Sequence, residues 1–92
     1  MGAKNGENLA IDATVLGGAE AWYSEKADYR KGTRIPQDTS DFRAGHYTQM
    51  VWRKTREIGA GKAIARQGEF QGQTILVTNY DPAGNQYGQT PY

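Results

Sequence analysis

No cysteine occurs in these 92 residues. No disulfide can staple the fold, and thiol chemistry is excluded. The compartment stays open on this ground alone. No apolar run approaches the roughly 20 residues that a membrane span needs. The start, "MGAKNGENLA", is polar and lacks the apolar core of a signal peptide. Met1-Gly2 fails as a myristoylation motif, because Gly6 stands where Ser or Thr is required. No Asn-x-Ser/Thr sequon is present. Charge of one sign is also missing: the net value is +1, so nothing global draws the chain to nucleic acid or an anionic membrane. Serine is scarce. Ser24 and Ser40 are the only two, and neither lies in a G-x-S-x-G elbow. "GAGKA" fails as a phosphate loop, with Arg56 at the first glycine position and Ala63 at the last. Histidine occurs once, as His46 in "GHYTQMVWRKT".

What the chain does contain is aromatic. Trp22, Trp52, Phe42, Phe70 and six tyrosines argue for a packed core, although only 37% of residues are apolar and mean hydropathy is -0.80. The length fits one small domain over 1–92, burying about two-thirds of its unfolded surface. Between Phe42 and Arg66, six cations (Arg43, Arg53, Lys54, Arg56, Lys62, Arg66) face Glu57 alone. A solvated face with long stems over apolar surface accounts for this run, since no aromatic-basic stripe accompanies it.

Periodicity predicts the elements. Residues 1–13 read as an irregular or extended lead-in, with Gly2, Asn5, Gly6 and Asn8 as turn formers. A helix runs from Thr14, as N-cap, to about Arg30. Glu25 lies three residues after Trp22 and four before Tyr29, on the aromatic face, where an unpaired carboxylate is costly. "KGTRIPQDTSD" is a loop, and Ser40 or Asp41 could cap a second helix over Gly45 to Arg56. "GAG" at 59–61 ends it. Lys62–Gln67 and Gln73–Tyr80 read as a β-hairpin turned at Gly68–Gly72. The class is α+β: two main helices followed by an antiparallel hairpin, one helical layer on a small sheet. A two-stranded sheet is rarely stable alone, so something is missing.

His46 has two chemical companions in type. Glu25 and Glu7, the latter in "NGENLA", make with it a set able to bind Zn2+ or another divalent ion, or to run acid-base chemistry. Their distance in sequence means that spacing does not make a site, and a lone histidine near an apolar face is commonly a core residue.

Four blocks together resemble one family: "GENLA" (6–10), "AEAWYSEKADY" (19–29), "GHYTQMVWRKT" with "IGAG" (45–61), and "ILVTNYDPAGN" with "GQTPY" (75–92). They look like the CAP superfamily of cysteine-rich secretory proteins, antigen 5 and pathogenesis-related protein 1. The ending resembles the plant type and its microbial relatives. The resemblance implies an α-β-α sandwich, here truncated, mostly secreted, with a cleft of two histidines and two glutamates that binds a divalent ion in several members. The second histidine falls on His46, and the glutamates fall on Glu7 and Glu25. Trp22, Tyr47, Gln49 and Asn8 are expected to line the cleft.

Departures from the family pattern set further expectations. The first histidine belongs to a helix ahead of "GENL", and the chain starts just before that block. The tetrad is thus at most a triad, with weak metal affinity. Ala60 and Thr78 stand where many members have cysteine, and Gln86 replaces the usual residue after "GN". The face that the absent helix would cover should invite self-association. The implied function is a non-enzymatic secreted binding module with a residual divalent-cation cleft, extracellular in its full-length context. The alternatives are a sterol or lipid carrier and a metal-dependent hydrolase with Glu25 or Glu7 as base. Pro82 to Tyr92 could be a released peptide, but a C-terminal brace anchored by Pro91 and Tyr92 is the preferred reading.

Overall fold

The computed structural model describes residues 5–11, 14–69 and 71–92. Gly2 and the rest of the lead-in at 1–4, 12 and 13 lie outside these, as does Phe70 of the expected turn.

Thr14 caps the first helix as its sequence requires: its hydroxyl accepts from the Gly17 N–H at 2.9 Å. Helix α1 spans Val15–Ser24 and then tightens into a single 3-10 turn, Glu25–Asp28. Gly18 lets it approach the sheet, because a Cβ there would stand 2.3 Å from Leu76 Cδ2. Helix α2 spans Gly45–Met50 only. The expected continuation to Arg56 fails for a hydrogen-bonding reason. The Arg53 N–H is taken by the carbonyl of Pro91 at 2.9 Å, so the chain leaves the helical path.

Among the described residues three strands form one antiparallel sheet in the order β1-β3-β2. They are β1 at Gly6–Ile11, β2 at Glu57–Ile64 and β3 at Thr74–Asp81. Gly6 opposes Tyr80 and Ile11 opposes Ile75 on one side of β3, while Glu57 opposes Asp81 and Ile64 opposes Thr74 on the other. Two expectations change here. The lead-in supplies a full strand, so the sheet has a third member. "GAG" at 59–61 lies inside β2 rather than ending a helix.

Alternation along β3 divides the sheet into two faces. Leu76, Thr78 and Tyr80 are buried under the helices, and Gly6, Asn8 and Ala10 of β1 share that side. Glu7, Leu9 and Ile11 belong to the other side, with Ile75, Val77 and Asn79. The core is completed by Trp22, Ile35, Ala44, Tyr47 and Trp52. Among the described residues both helices lie on one face, giving two layers. No described helix is long and apolar enough to cross a membrane.

The loop 31–36 is held by the chain's tail. Ile35, nearly fully buried, donates to Gln89 O at 2.8 Å and accepts from Gly88 N at 2.9 Å. Pro91 is buried, and Tyr92 joins Tyr29 and Tyr47 in an aromatic cluster. Asn85 takes the left-handed conformation, φ 53, that asparagine tolerates. Its side chain donates to Gly45 O at 2.9 Å and accepts from Thr48 Oγ1 at 2.6 Å.

Candidate functional site

Trp22 anchors the site. It sits one turn after Gly18, and its indole N–H donates to Leu9 O at 3.1 Å, tying α1 to β1. Three residues later the helix becomes a 3-10 turn, and Glu25 is delivered to the start of α2.

The first turn of α2 has no local cap. Ala44 is its N-cap residue and offers no side-chain acceptor. Glu25 performs the task from a distance: its Oε1 accepts from the N–H of His46 at 2.9 Å and from that of Tyr47 at 3.0 Å. These are two of the orphan donors that every helix start leaves, and a carboxylate there also meets the positive end of the peptide dipoles. The other oxygen, Oε2, lies 2.8 Å from His46 Nδ1. One carboxylate therefore satisfies three nitrogens. That resolves the cost of a charge on an aromatic face, and it explains why neither Ser40 nor Asp41 caps α2.

His46 is held at its backbone, at Nδ1 and on one ring face. Its backbone carbonyl accepts from Asn8 Nδ2 at 3.0 Å, and Asn8 also donates to the Tyr80 hydroxyl at 3.2 Å. Its ring stacks on Trp22 with centroids 5.9 Å apart and planes 19° apart. With Nδ1 donating to Glu25, Nε2 carries the available lone pair. The imidazole side chain is 43% exposed, against 20% for that of Glu25.

The other expected site residues separate by place. Glu7 is exposed on the alternate side of β1, and its side chain makes no hydrogen bond or ion pair with the described residues. The structure thus brings together Glu25 and His46 of the three expected ligands. Trp22, Tyr47, Asn8 and Gln49 are all buried beneath the pair. Gln49 turns away from His46: its Oε1 accepts from Gly84 N at 2.9 Å and supports the tail.

A closed metal centre needs about four ligands converging on one point. Among the described residues no three His, Cys, Asp or Glu side chains do so. Both oxygens of Glu25 are engaged by N–H groups, which leaves one imidazole nitrogen. The donor set does not fit a tight resident ion. Nor is a nucleophile in place: Ser24 Oγ donates to Ala21 O at 2.6 Å, and among the described residues no hydroxyl bonds to His46.

Beside the pair lies a group of tyrosines that periodicity could not reveal. The hydroxyls of Tyr47 and Tyr92 are 3.0 Å apart, and Tyr23 and Tyr29 pack on Tyr47 with centroids 5.8 and 6.0 Å away. The hydrogen bond to Tyr92, then burial, push the Tyr47 phenol up to about 12. Burial first, then Tyr92, raise that of Tyr29.

Comparison with known proteins gives this geometry its context. A profile described as "CAP: Cysteine-rich secretory protein family" matches residues 2–80. Pathogenesis-related protein 1 of Arabidopsis thaliana is 40% identical over 94 residues, covering 99% of this chain and 53% of the relative. Venom allergen 5 of Polistes fuscatus is 41% identical over 92 residues, covering 95% of this chain and 44% of the relative. The chain thus spans about half the length of the curated relatives it matches. Among solved structures, a crystal structure of NaASP2 with Zn2+ superposes with a TM-score of 0.69 at 29% identity, covering 98% of this chain and 50% of that one. The chain, though free of cysteine, belongs to the CAP or cysteine-rich secretory protein family.

Proposed function

We propose that the chain is a non-enzymatic CAP binding module, extracellular in its full-length context, whose cleft is centred on His46. The observation that carries this reading is the engagement of Glu25 by three nitrogens. A carboxylate so used is a positioning group, not a free general base, which argues against a hydrolase. Glu25 orients the ring through Nδ1, the arrangement commonly found behind a metal-binding imidazole. His46 Nε2 then offers a weak, single-imidazole contact for Zn2+ or another divalent cation, with Glu7 on the alternate side of β1. The match to a structure crystallised with Zn2+ supports a cation as the ligand class. Relatives named for saliva and venom support the extracellular setting.

Calorimetric titration with Zn2+ tests this. Binding weaker than about 10 μM is expected from one imidazole, and His46→Ala should abolish it. Tight binding by the monomer, or binding unchanged in His46→Ala, would refute the reading.

A second reading rests on apolar exposure. Leu9, Ile11, Val15 and Leu16 are 41 to 68% exposed and neighbour one another along the chain. They favour self-association or a lipid or sterol ligand. Light scattering with and without a fluorescent sterol separates these. A strict monomer at micromolar concentration that ignores sterol would remove both.

A further inference from the structure

Arg53 and Lys54 follow α2 in sequence, and Arg34 belongs to the loop 31–36. The fold brings all three to one surface cavity of about 460 Å3. Trp52 and the tail segment 88–92 complete its lining, and no Asp or Glu is among the lining residues. The basic run read from the sequence as a solvated face does not include Arg34; only the fold joins it to Arg53 and Lys54.

Three features separate this cavity from scattered surface charge. First, its walls are fastened. Ile35 exchanges backbone hydrogen bonds with residues 88 and 89, and the Arg53 N–H bonds to Pro91 O at 2.9 Å. The cations are therefore displayed from backbone held at both ends. Secondly, among the described residues none of the three side chains is in an ion pair. Three like charges around one concavity repel one another, and no Asp or Glu side chain among the lining residues offsets them. Thirdly, the cavity has the size of a small-ligand pocket, and Trp52 contributes an apolar side chain to its lining.

We propose that this cavity binds a phosphate ester, with Arg34 and Arg53 as the principal contacts and Lys54 as a third charge. A guanidinium matches two oxygens of a phosphate with two parallel donors, which an ammonium cannot do. Two guanidiniums lining one cavity suit a dianionic group of compact shape. An extended polyanion is a poorer fit, since the charges converge on one cavity and the chain as a whole carries only +1. The phosphate ester could come from a soluble metabolite or from a lipid headgroup. The proposal is independent of the Glu25–His46 cleft, whose residues do not line this cavity.

Pyrophosphate is the probe, titrated calorimetrically into the intact chain at low ionic strength. One equivalent should bind, and Arg34→Ala and Arg53→Ala should each weaken affinity roughly tenfold, with Lys54→Ala weakening it less. Raising salt should weaken it further. These three side chains are exposed and make no hydrogen bonds that the core relies on, so circular dichroism of each variant should match the parent. His46→Ala should leave pyrophosphate affinity unchanged, which keeps this test apart from that of the cleft. Sedimentation with phosphatidylcholine vesicles containing phosphatidic acid identifies the source. Capture that pyrophosphate competes away assigns the headgroup, whereas pyrophosphate binding without capture assigns the soluble ester. Absence of pyrophosphate binding, or affinity undiminished in the Arg34→Ala/Arg53→Ala double variant, overturns the proposal.

Discussion

Glu25 lies 21 residues before His46, yet its carboxylate closes the start of the helix that carries His46 and holds the imidazole as well. Local cap, ring orientation and charge compensation are one arrangement. Removing the carboxylate should therefore disturb the fold before it disturbs any ligand.

Glu25→Ala is expected to cost about 2–3 kcal/mol, combining a lost cap with partly buried N–H groups left unpaired. Glu25→Gln, which keeps an acceptor for the backbone donors, should cost about half as much. His46→Ala should cost about 1 kcal/mol, since the cap survives. Urea unfolding of the three variants gives the order. If His46→Ala proved the most damaging, the remote cap would be the wrong account of Glu25.

Alkaline unfolding should report on Tyr47. Its phenol is held up near 12 in the folded chain against 10.0 ordinarily. The folded state keeps the proton longer than the unfolded state does. The associated stability is fully present below pH 10.0 and is lost as pH rises through about 12. Denaturant midpoints measured across that window should fall, and fall less in Tyr47→Phe. Tyr29, whose phenol is also raised, leaves a residual slope in the variant. A parent whose stability stays flat over this range would contradict the hydrogen-bonded tyrosine pair.

Two glycines make a matched test of close packing. A Cβ at Gly84 would stand 2.7 Å from Trp52 Cγ and 2.9 Å from Trp52 Cβ, while one at Gly59 meets nothing within 4 Å. Trp52 is buried and cannot swing aside. Gly84→Ala should cost about 1–3 kcal/mol through overpacking, and Gly59→Ala should be neutral or slightly stabilising. Thermal melts of both variants decide it. Equal effects would mean that the tail packs more loosely than described.

The tail itself carries the fourth test. Deleting Pro82–Tyr92 uncovers Ile35 and removes the partners of Tyr47, Thr48 and Gly45. The melting temperature should drop by at least about 10 °C, the equivalent of two or more kcal/mol in a domain this small. An unchanged melt would identify the segment as detachable.

Local chemistry and long-range pairing differed in how much of them the sequence disclosed. Thr14 announced α1 because its hydroxyl acts within three residues. "ILVTNY" announced β3 because a central strand is apolar on both faces. β1 stayed hidden, since Gly6, Asn8 and Ala10 take the inward positions while Leu9 and Ile11 face outwards, an inverted pattern. The first part of β2 stayed hidden because Gly59, Ala60 and Gly61 show no apolar alternation and every residue of the strand is exposed, whereas Lys62–Ile64 fell within the expected hairpin strand. At the site, residue types pointed to Glu25 and His46. Nothing in spacing could say that the carboxylate caps α2, or that Glu7 falls on the opposite parity of its strand.

The order of the sheet has a temporal consequence. Among the described residues every ladder includes β3, and β3 follows β1 and β2 in the sequence. Neither β1 nor β2 can find its hydrogen-bonding partner until residues 74–81 have been made, and Asn8 must meet Tyr80 across 72 residues. Emerging from the ribosome, β1 waits unpaired until β3 has followed it. Pairing of both outer strands is thereby deferred until residues 74–81 are in place, so the sheet is built from long-range contacts, which are the slow ones to form.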